Sequence, residues 1–175
     1  MFPRQKRTYD EAALYEYAVG ALARKMRTVA ELKRLLRQRV GQQEDGEALI
    51  EAVIARLKEQ KYLNDSQYAA LFAGYRKENE KFGRLRVITE LKMKGVHGDI
   101  IEKSVASAYA GSNEEKLVRD FLARKRLRKP ANQKETARVF RALVRAGFTS
   151  KTIFKVLKKW DVEEEVLTAL EGEVE

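Results

Sequence analysis

Leu91-Lys92-Met93-Lys94-Gly95-Val96-His97-Gly98-Asp99-Ile100-Ile101-Glu102-Lys103-Ser104-Val105 and, 52 residues later, Leu143-Val144-Arg145-Ala146-Gly147-Phe148-Thr149-Ser150-Lys151-Thr152-Ile153-Phe154-Lys155-Val156-Leu157 read as two copies of one pattern. Leucine falls on leucine, Gly95 on Gly147, Val96 on Phe148, Ile101 on Ile153 and Val105 on Leu157, with no gap. A glycine directly after an apolar helical period ends a helix, and a fresh period a few residues on starts another. Each copy is therefore a helix, a tight turn and a second helix. Leu35, Val40, Ile50 and Ile54 fit the same places in the first third of the chain if the Gly41 to Gly46 region holds an insertion of five residues. Repeats of this length, each a single supersecondary unit, stack into elongated or curved molecules.

Working outward, every repeat gains a third helix. Asp10 is placed to cap a helix with Leu14, Ala18 and Leu22 on one face. Thr28-Val29-Ala30-Glu31 is a capping box before Leu32, Leu35 and Leu36, and Leu49, Ile50, Val53, Ile54 and Leu57 mark a third helix. In the second unit Asp65 is read as the cap of a helix with Tyr68, Phe72 and Tyr75 inward. Leu85, Ile88 and Leu91, then Ile100, Ile101 and Val105, follow. The third unit runs through Leu117, Phe121 and Leu122, then Val139, Phe140 and Leu143, and ends at Ile153, Val156, Leu157 and Trp160. Pro3 and Pro130 are the only two prolines, so nothing breaks these runs from within. The expected fold is all-α: nine helices in tandem three-helix bundles, forming an elongated, curved molecule. The expected segments are a basic N-terminal tail 1–9, modules 10–63, 64–111 and 112–160, and an acidic C-terminal tail 161–175.

Charge is unevenly placed along this frame. The last 15 residues hold seven acids and no base, which leaves 36 Lys and Arg against 19 Asp and Glu in the first 160 residues. A body with a surplus of 17 positive charges attracts polyanions, of which nucleic acid is the commonest in cytoplasm. The acidic end either folds back over that body and competes for it, or stands as a solvated end. With 44% apolar and 35% charged residues and no long apolar run, the chain is expected to be soluble. The basic start lacks the apolar core of a secretory signal, and the zero cysteines fit a cytoplasmic location.

Catalytic chemistry finds little to stand on. The single histidine, His97, lies in a turn, and with Asp99 it offers two of the three or four ligands a metal site needs, so no metal or other cofactor is expected. The glycines are spaced as helix ends, and no Gly-rich loop leads into Lys-Ser or Lys-Thr. No catalytic residue is assigned. Basic clusters recur in each module: Arg24, Lys25 and Arg27; Lys33, Arg34, Arg37 and Arg39; Arg76 to Lys94; Arg124 to Lys129. They are either solvated faces or a stripe matched to phosphates or to acidic loops of a partner. A protein that binds along another polymer, a stand-alone architectural or transcriptional DNA-binding factor, and an enzyme of unknown type all remain open at this level.

The stretch Tyr62-Leu63-Asn64-Asp65-Ser66-Gln67-Tyr68-Ala69, then Arg76, Gly83-Arg84-Leu85-Arg86-Val87-Ile88-Thr89-Glu90-Leu91 and Lys94-Gly95-Val96, resembles the central signature of the RecX family of bacterial RecA regulators. Thr28-Val29-Ala30-Glu31-Leu32 and Arg145-Ala146-Gly147-Phe148 resemble the matching parts of that family's first and third modules. The chain departs from the family at turns, where Lys61 stands in place of a common glycine and the Gly41 region carries its insertion. The resemblance implies a non-enzymatic monomer, active in DNA repair, recombination and the SOS response. It would bind in the groove of the RecA filament on DNA and suppress ATP hydrolysis, strand exchange and co-protease action. Filament or DNA contacts are expected from Arg76, Arg84, Arg86, Lys92 and Lys94 in the middle module and from Arg124, Lys125, Arg126 and Lys129 beyond it. Gly83 and Gly95 are expected to serve the helix turns.

Overall fold

The computed structural model describes residues 8–172. Of the basic stretch 1–9 only Thr8 and Tyr9 fall within it, and Glu173 and Glu175 lie outside the described residues. Within that range there are ten helices and no strand: α1 (Glu11–Arg24), α2 (Val29–Val40), α3 (Gly46–Glu59), α4 (Asp65–Glu78), α5 (Arg84–Met93), α6 (Gly98–Tyr109), α7 (Glu114–Arg124), α8 (Gln133–Arg145), α9 (Ser150–Lys158) and α10 (Glu164–Gly172). The principal helix packing stays inside the triplets: α1 and α2 on α3, α4 and α5 on α6, α7 and α8 on α9, with α10 added against α8 and α9.

The starts follow local chemistry. Asp10 accepts a hydrogen bond from the Ala13 amide at 2.8 Å. Thr28 and Glu31 form the reciprocal capping box that the sequence predicts. At α4 the cap is Asn64, not Asp65: Asn64 accepts from the Gln67 amide at 3.0 Å. That frees the Asp65 carboxylate to accept from the Val29 amide in the first module at 2.9 Å.

The ends carry the repeat in the backbone itself. Gly41, Gly95 and Gly147, at the ends of α2, α5 and α8, have φ of 62°, 75° and 86°. Lys61, Gly111 and Asp161 occupy the same left-handed region after the third helix of each module, at 61°, 64° and 58°. Lys81 and Arg126 do so after α4 and α7. Behind several of these residues the next amide closes the turn, Val96 onto the Leu91 carbonyl at 3.2 Å and Phe148 onto that of Leu143 at 3.3 Å. The apolar residues after Lys81, Gly95 and Gly147, namely Phe82, Val96 and Phe148, are turned into the core. Lys61 shows why glycine is common at its position, since a side chain there holds a conformation that costs roughly 1–2 kcal/mol.

Two cores result. Leu14, Leu32, Leu36, Ile50, Val53 and Leu57 are fully buried in the first module, whose cluster is separate from the rest. The second and third modules share one cluster. Phe121 joins them, with its ring centroid 6.2 Å from Phe82 and 5.7 Å from Phe148. Burying each such side chain contributes about 1.5–3 kcal/mol.

Two expectations change. Tyr75 is not core but 56% exposed, while Tyr68 and the partly buried Phe72 stack inward. The segment read as an acidic tail contains a tenth helix, α10, with Leu167 fully buried and Leu170 8% exposed. Val166, Leu167 and Leu170 recur at helical spacing, a signal that the density of acids around them hides.

Candidate nucleic-acid and partner interface

The middle helix of each module meets its counterpart in the next module end to end. At the second joint the N-terminus of α5 abuts the C-terminus of α8: the Gly83 amide donates to the Ala146 carbonyl at 2.8 Å and the Leu85 amide to the Gly147 carbonyl at 3.2 Å. Unpaired amides of one helix thus satisfy unpaired carbonyls of another, with the dipoles head to tail. The approach leaves no room for a side chain. A Cβ on Gly83 would lie 2.1 Å from the Gly147 carbonyl oxygen, and one on Gly147 would lie 2.2 Å from the Arg86 amide nitrogen. Gly83 has φ −71°, which any residue adopts, so it is required by this contact and not by the turn it was expected to serve.

At the first joint the N-terminus of α2 meets the C-terminus of α5. The fully buried Thr28 hydroxyl donates to the Lys94 carbonyl at 2.7 Å. A Cβ on Gly95 would lie 2.4 Å from the Ala30 Cβ, so this glycine serves both the turn and the joint. The Lys94 ammonium lies 2.9 Å from Glu31, with side chains only 23% and 16% exposed. Burial on its own pushes the Glu31 carboxyl up, but hydrogen bonds from Lys94 and the Thr28 amide outweigh it and hold the carboxyl below its usual value. Burial likewise works against the charged Lys94, and the bonds to Glu31 and Tyr68 more than restore it, leaving its ammonium above the usual value.

These joints sort the nine predicted contact residues. Lys94 belongs to the first joint. Arg86 belongs to the second: it pairs with Glu90 at 2.9 Å, donates to the Arg145 carbonyl at 3.2 Å and lies 3.9 Å over the Phe82 ring. Arg76 faces the same Glu90 at 2.8 Å and covers Phe72 at 4.8 Å. Arg124 pairs with Glu80 at 3.1 Å and Lys129 with Asp161 at 2.5 Å. Arg84 and Lys92 on α5 and Arg126 after α7 are exposed and make no ion pair among the described residues. Lys125 is exposed too, 6.0 Å from the Phe121 ring centroid. The structure thus divides the predicted set into Arg76, Arg86 and Lys94, which are partly buried in the packing, Arg124 and Lys129, which face outward in exposed ion pairs, and Arg84, Lys92, Lys125 and Arg126, which face outward without one among the described residues.

Beside Arg84, an open groove of about 320 Å³ at the second joint is lined by Leu85, Arg86, Thr89, Glu90, Val144 and Arg145. Leu85, Thr89 and Met93 form the outward face of α5, and Leu85 and Met93 are 48% and 74% exposed. Sequence reading missed a further basic row: Lys134, Arg138, Arg141 and Arg145 stand on α8 at i, i+4, i+7 and i+11, all exposed. That spacing puts them within an arc of about 60°. Treating charge as local clusters conceals it, because each base is separated from the next by core residues. His97 caps α6 through its backbone, and its ring, 3.8 Å from Asp99, is 77% exposed. Among the described residues no group of three or more His, Cys, Asp and Glu is placed to hold a metal ion. No helix there is long and apolar enough to cross a membrane.

Residues 64–105, the middle module from α4 into α6, match the family described as "RecX, second three-helix domain". The chain is 32% identical over 168 residues to the "Regulatory protein RecX" of Myxococcus xanthus, covering 89% of both chains. It is 31% identical over 161 residues to that of Deinococcus radiodurans, covering 90% of this chain and 74% of the relative. Its fold is that of solved structures with the same name. RecX from Lactobacillus salivarius matches with a TM-score of 0.66 at 19% identity, over 86% of this chain and 96% of that one. At 32% identity over 89% of both chains, the relative from Myxococcus xanthus shows the family, and the chain belongs to the RecX family of regulatory proteins.

Proposed function

We propose that this protein binds the RecA filament on DNA in the cytoplasm and restrains its ATP hydrolysis, strand exchange and co-protease activity, acting as a monomer and without chemistry of its own. The observation that carries the reading is the match to RecX regulatory proteins along nearly the whole chain. It is supported by outward bases, Arg84, Lys92, Lys125 and Arg126, left over once the joints are made. A row of modules touches successive subunits of a helical polymer together. A contact made better in one filament geometry than another shifts the population toward that geometry, with no covalent step.

The test is a RecA ATPase assay on single-stranded DNA titrated with this protein, in which turnover should fall. Unchanged turnover at saturating protein would overturn the reading. Arg84→Ala with Lys92→Ala should weaken the effect and leave helicity intact, because neither side chain holds a joint. A variant that also removes Arg86 and Lys94 would confound contact with folding. Calorimetry on the protein alone should show no ATP binding.

A further inference from the structure

We infer that the outward face of α8, continued across the second joint by Arg84, is a binding surface for nucleic-acid backbone phosphates. Lys134, Arg138, Arg141 and Arg145 follow one line for about 16 Å along the helix. Thr136, Val139, Phe140 and Leu143, on the opposite side, are buried and fix the direction in which the row points. Three of the four are arginines, whose planar fork pairs with phosphate through two hydrogen bonds. Arg84 follows directly, because Gly83 is hydrogen-bonded to Ala146 and Leu85 to Gly147.

The ligand class follows from what the arc lacks. Docking surfaces for proteins centre on a desolvated apolar or aromatic anchor. No such residue interrupts this arc of α8, which presents four bases to solvent. No aromatic stands there to stack a base, and no Asn or Gln to read one. The surface therefore suits the regularly charged backbone of a nucleic acid, single- or double-stranded, without sequence preference. The acidic α10 lies beside the row, and Lys134, Arg141 and Glu165 line one open groove between α8 and α10. The row is thus bordered on that flank by the charge a phosphate strand would bring.

The inference rests on the proposed work at a nucleoprotein filament only for its choice of polyanion. It is tested without recombinase, so its failure and the failure of filament restraint are separate results. Fluorescence anisotropy of a labelled 30-nucleotide single strand and of a 30-base-pair duplex is followed against salt. The proteins are the full chain, K134Q/R138Q/R145Q, and a control, K58Q/K61Q/K103Q, that removes the same charge from exposed positions elsewhere. The α8 variant should weaken binding at least tenfold at low salt. It should also flatten the duplex slope of log K against log salt by roughly 2.5–3. The control should change both much less, and all three proteins should keep the same helicity and melting temperature. Equal losses in the α8 variant and the control would mean that binding follows net charge and overturn the assignment, as would an unchanged slope. Loss of binding to a polyglutamate peptide with DNA binding intact would assign the row to an acidic protein and also overturn it.

Discussion

Single glycines and a single lysine show how closely the backbone is specified. Gly83 and Gly98 both have ordinary backbone angles where an alanine could stand, but a Cβ on Gly83 meets carbonyl oxygen at 2.1 Å and one on Gly98 meets nothing within 4 Å. Gly83→Ala should therefore cost about 2–4 kcal/mol through forced separation of α5 from α8, lowering the melting temperature by roughly 5–15 °C. Gly98→Ala, in the first turn of α6, should be neutral or stabilising by about 0.5 kcal/mol. Equal melting temperatures for the two variants would remove the close approach as the reason for Gly83. Lys61, at φ 61°, points the other way: Lys61→Gly should stabilise the first module by about 1 kcal/mol, read as a higher urea midpoint. Much of this was legible in the sequence, where a glycine after an apolar period marks a helix end. That Gly83 exists for a neighbour 64 residues away was not, because the need for it arises only when two helix ends meet.

At the scale of elements, α10 decides how its own acidity is to be tested. Leu167 and Leu170 are buried against α8 and α9, and Glu164 reaches Lys158 at 2.6 Å. Deleting residues 163–175 should therefore cost about 3–5 kcal/mol from two lost leucines alone, visible as a lower melting temperature. The matching thermal stability expected of a solvated tail should not be found. Glu164→Gln with Glu165→Gln keeps the apolar contacts and isolates charge. If α10 competes for the basic face of α8, that variant should bind single-stranded DNA more tightly at low salt, with the gain shrinking as salt rises. Identical affinities at every salt concentration would show that α10 only packs. The helices and their order follow from apolar spacing. The division of the nine bases does not, since Arg84 and Arg86 are two residues apart in one run and only the fold gives Arg86 a ring, a carboxylate and a carbonyl to hold.

Across the whole molecule the two joints differ in kind, and that difference predicts how the chain comes apart. The second and third modules share one apolar cluster, whereas the first module has its own and meets the second largely through polar groups: Thr28 on the Lys94 carbonyl, Val29 on Asp65, and the Lys94–Glu31 pair. A polar joint adds little cooperativity between two cores that are each complete. Urea unfolding followed by the fluorescence of Trp160, which packs against the shared cluster, should therefore not coincide with unfolding followed by far-ultraviolet circular dichroism, which counts both cores. Superimposable curves would show that the chain unfolds as one unit. Acid should act on the joint through Glu31. Its carboxyl is held below the usual value in the folded chain, so its contribution is present above about pH 4.5 and is lost as pH falls through the lowered folded value. Lys94, held above its usual value, contributes below about pH 10.5 and loses that contribution as pH rises through the raised folded value, so the pair is at full strength between the two limits. Glu31→Gln removes the acid limb. In that variant the circular-dichroism transition should lose part of its dependence on pH between 5 and 3, while the Trp160 transition keeps its own. A loss of equal size in both would place Glu31 in the stability of the whole chain and not in the joint.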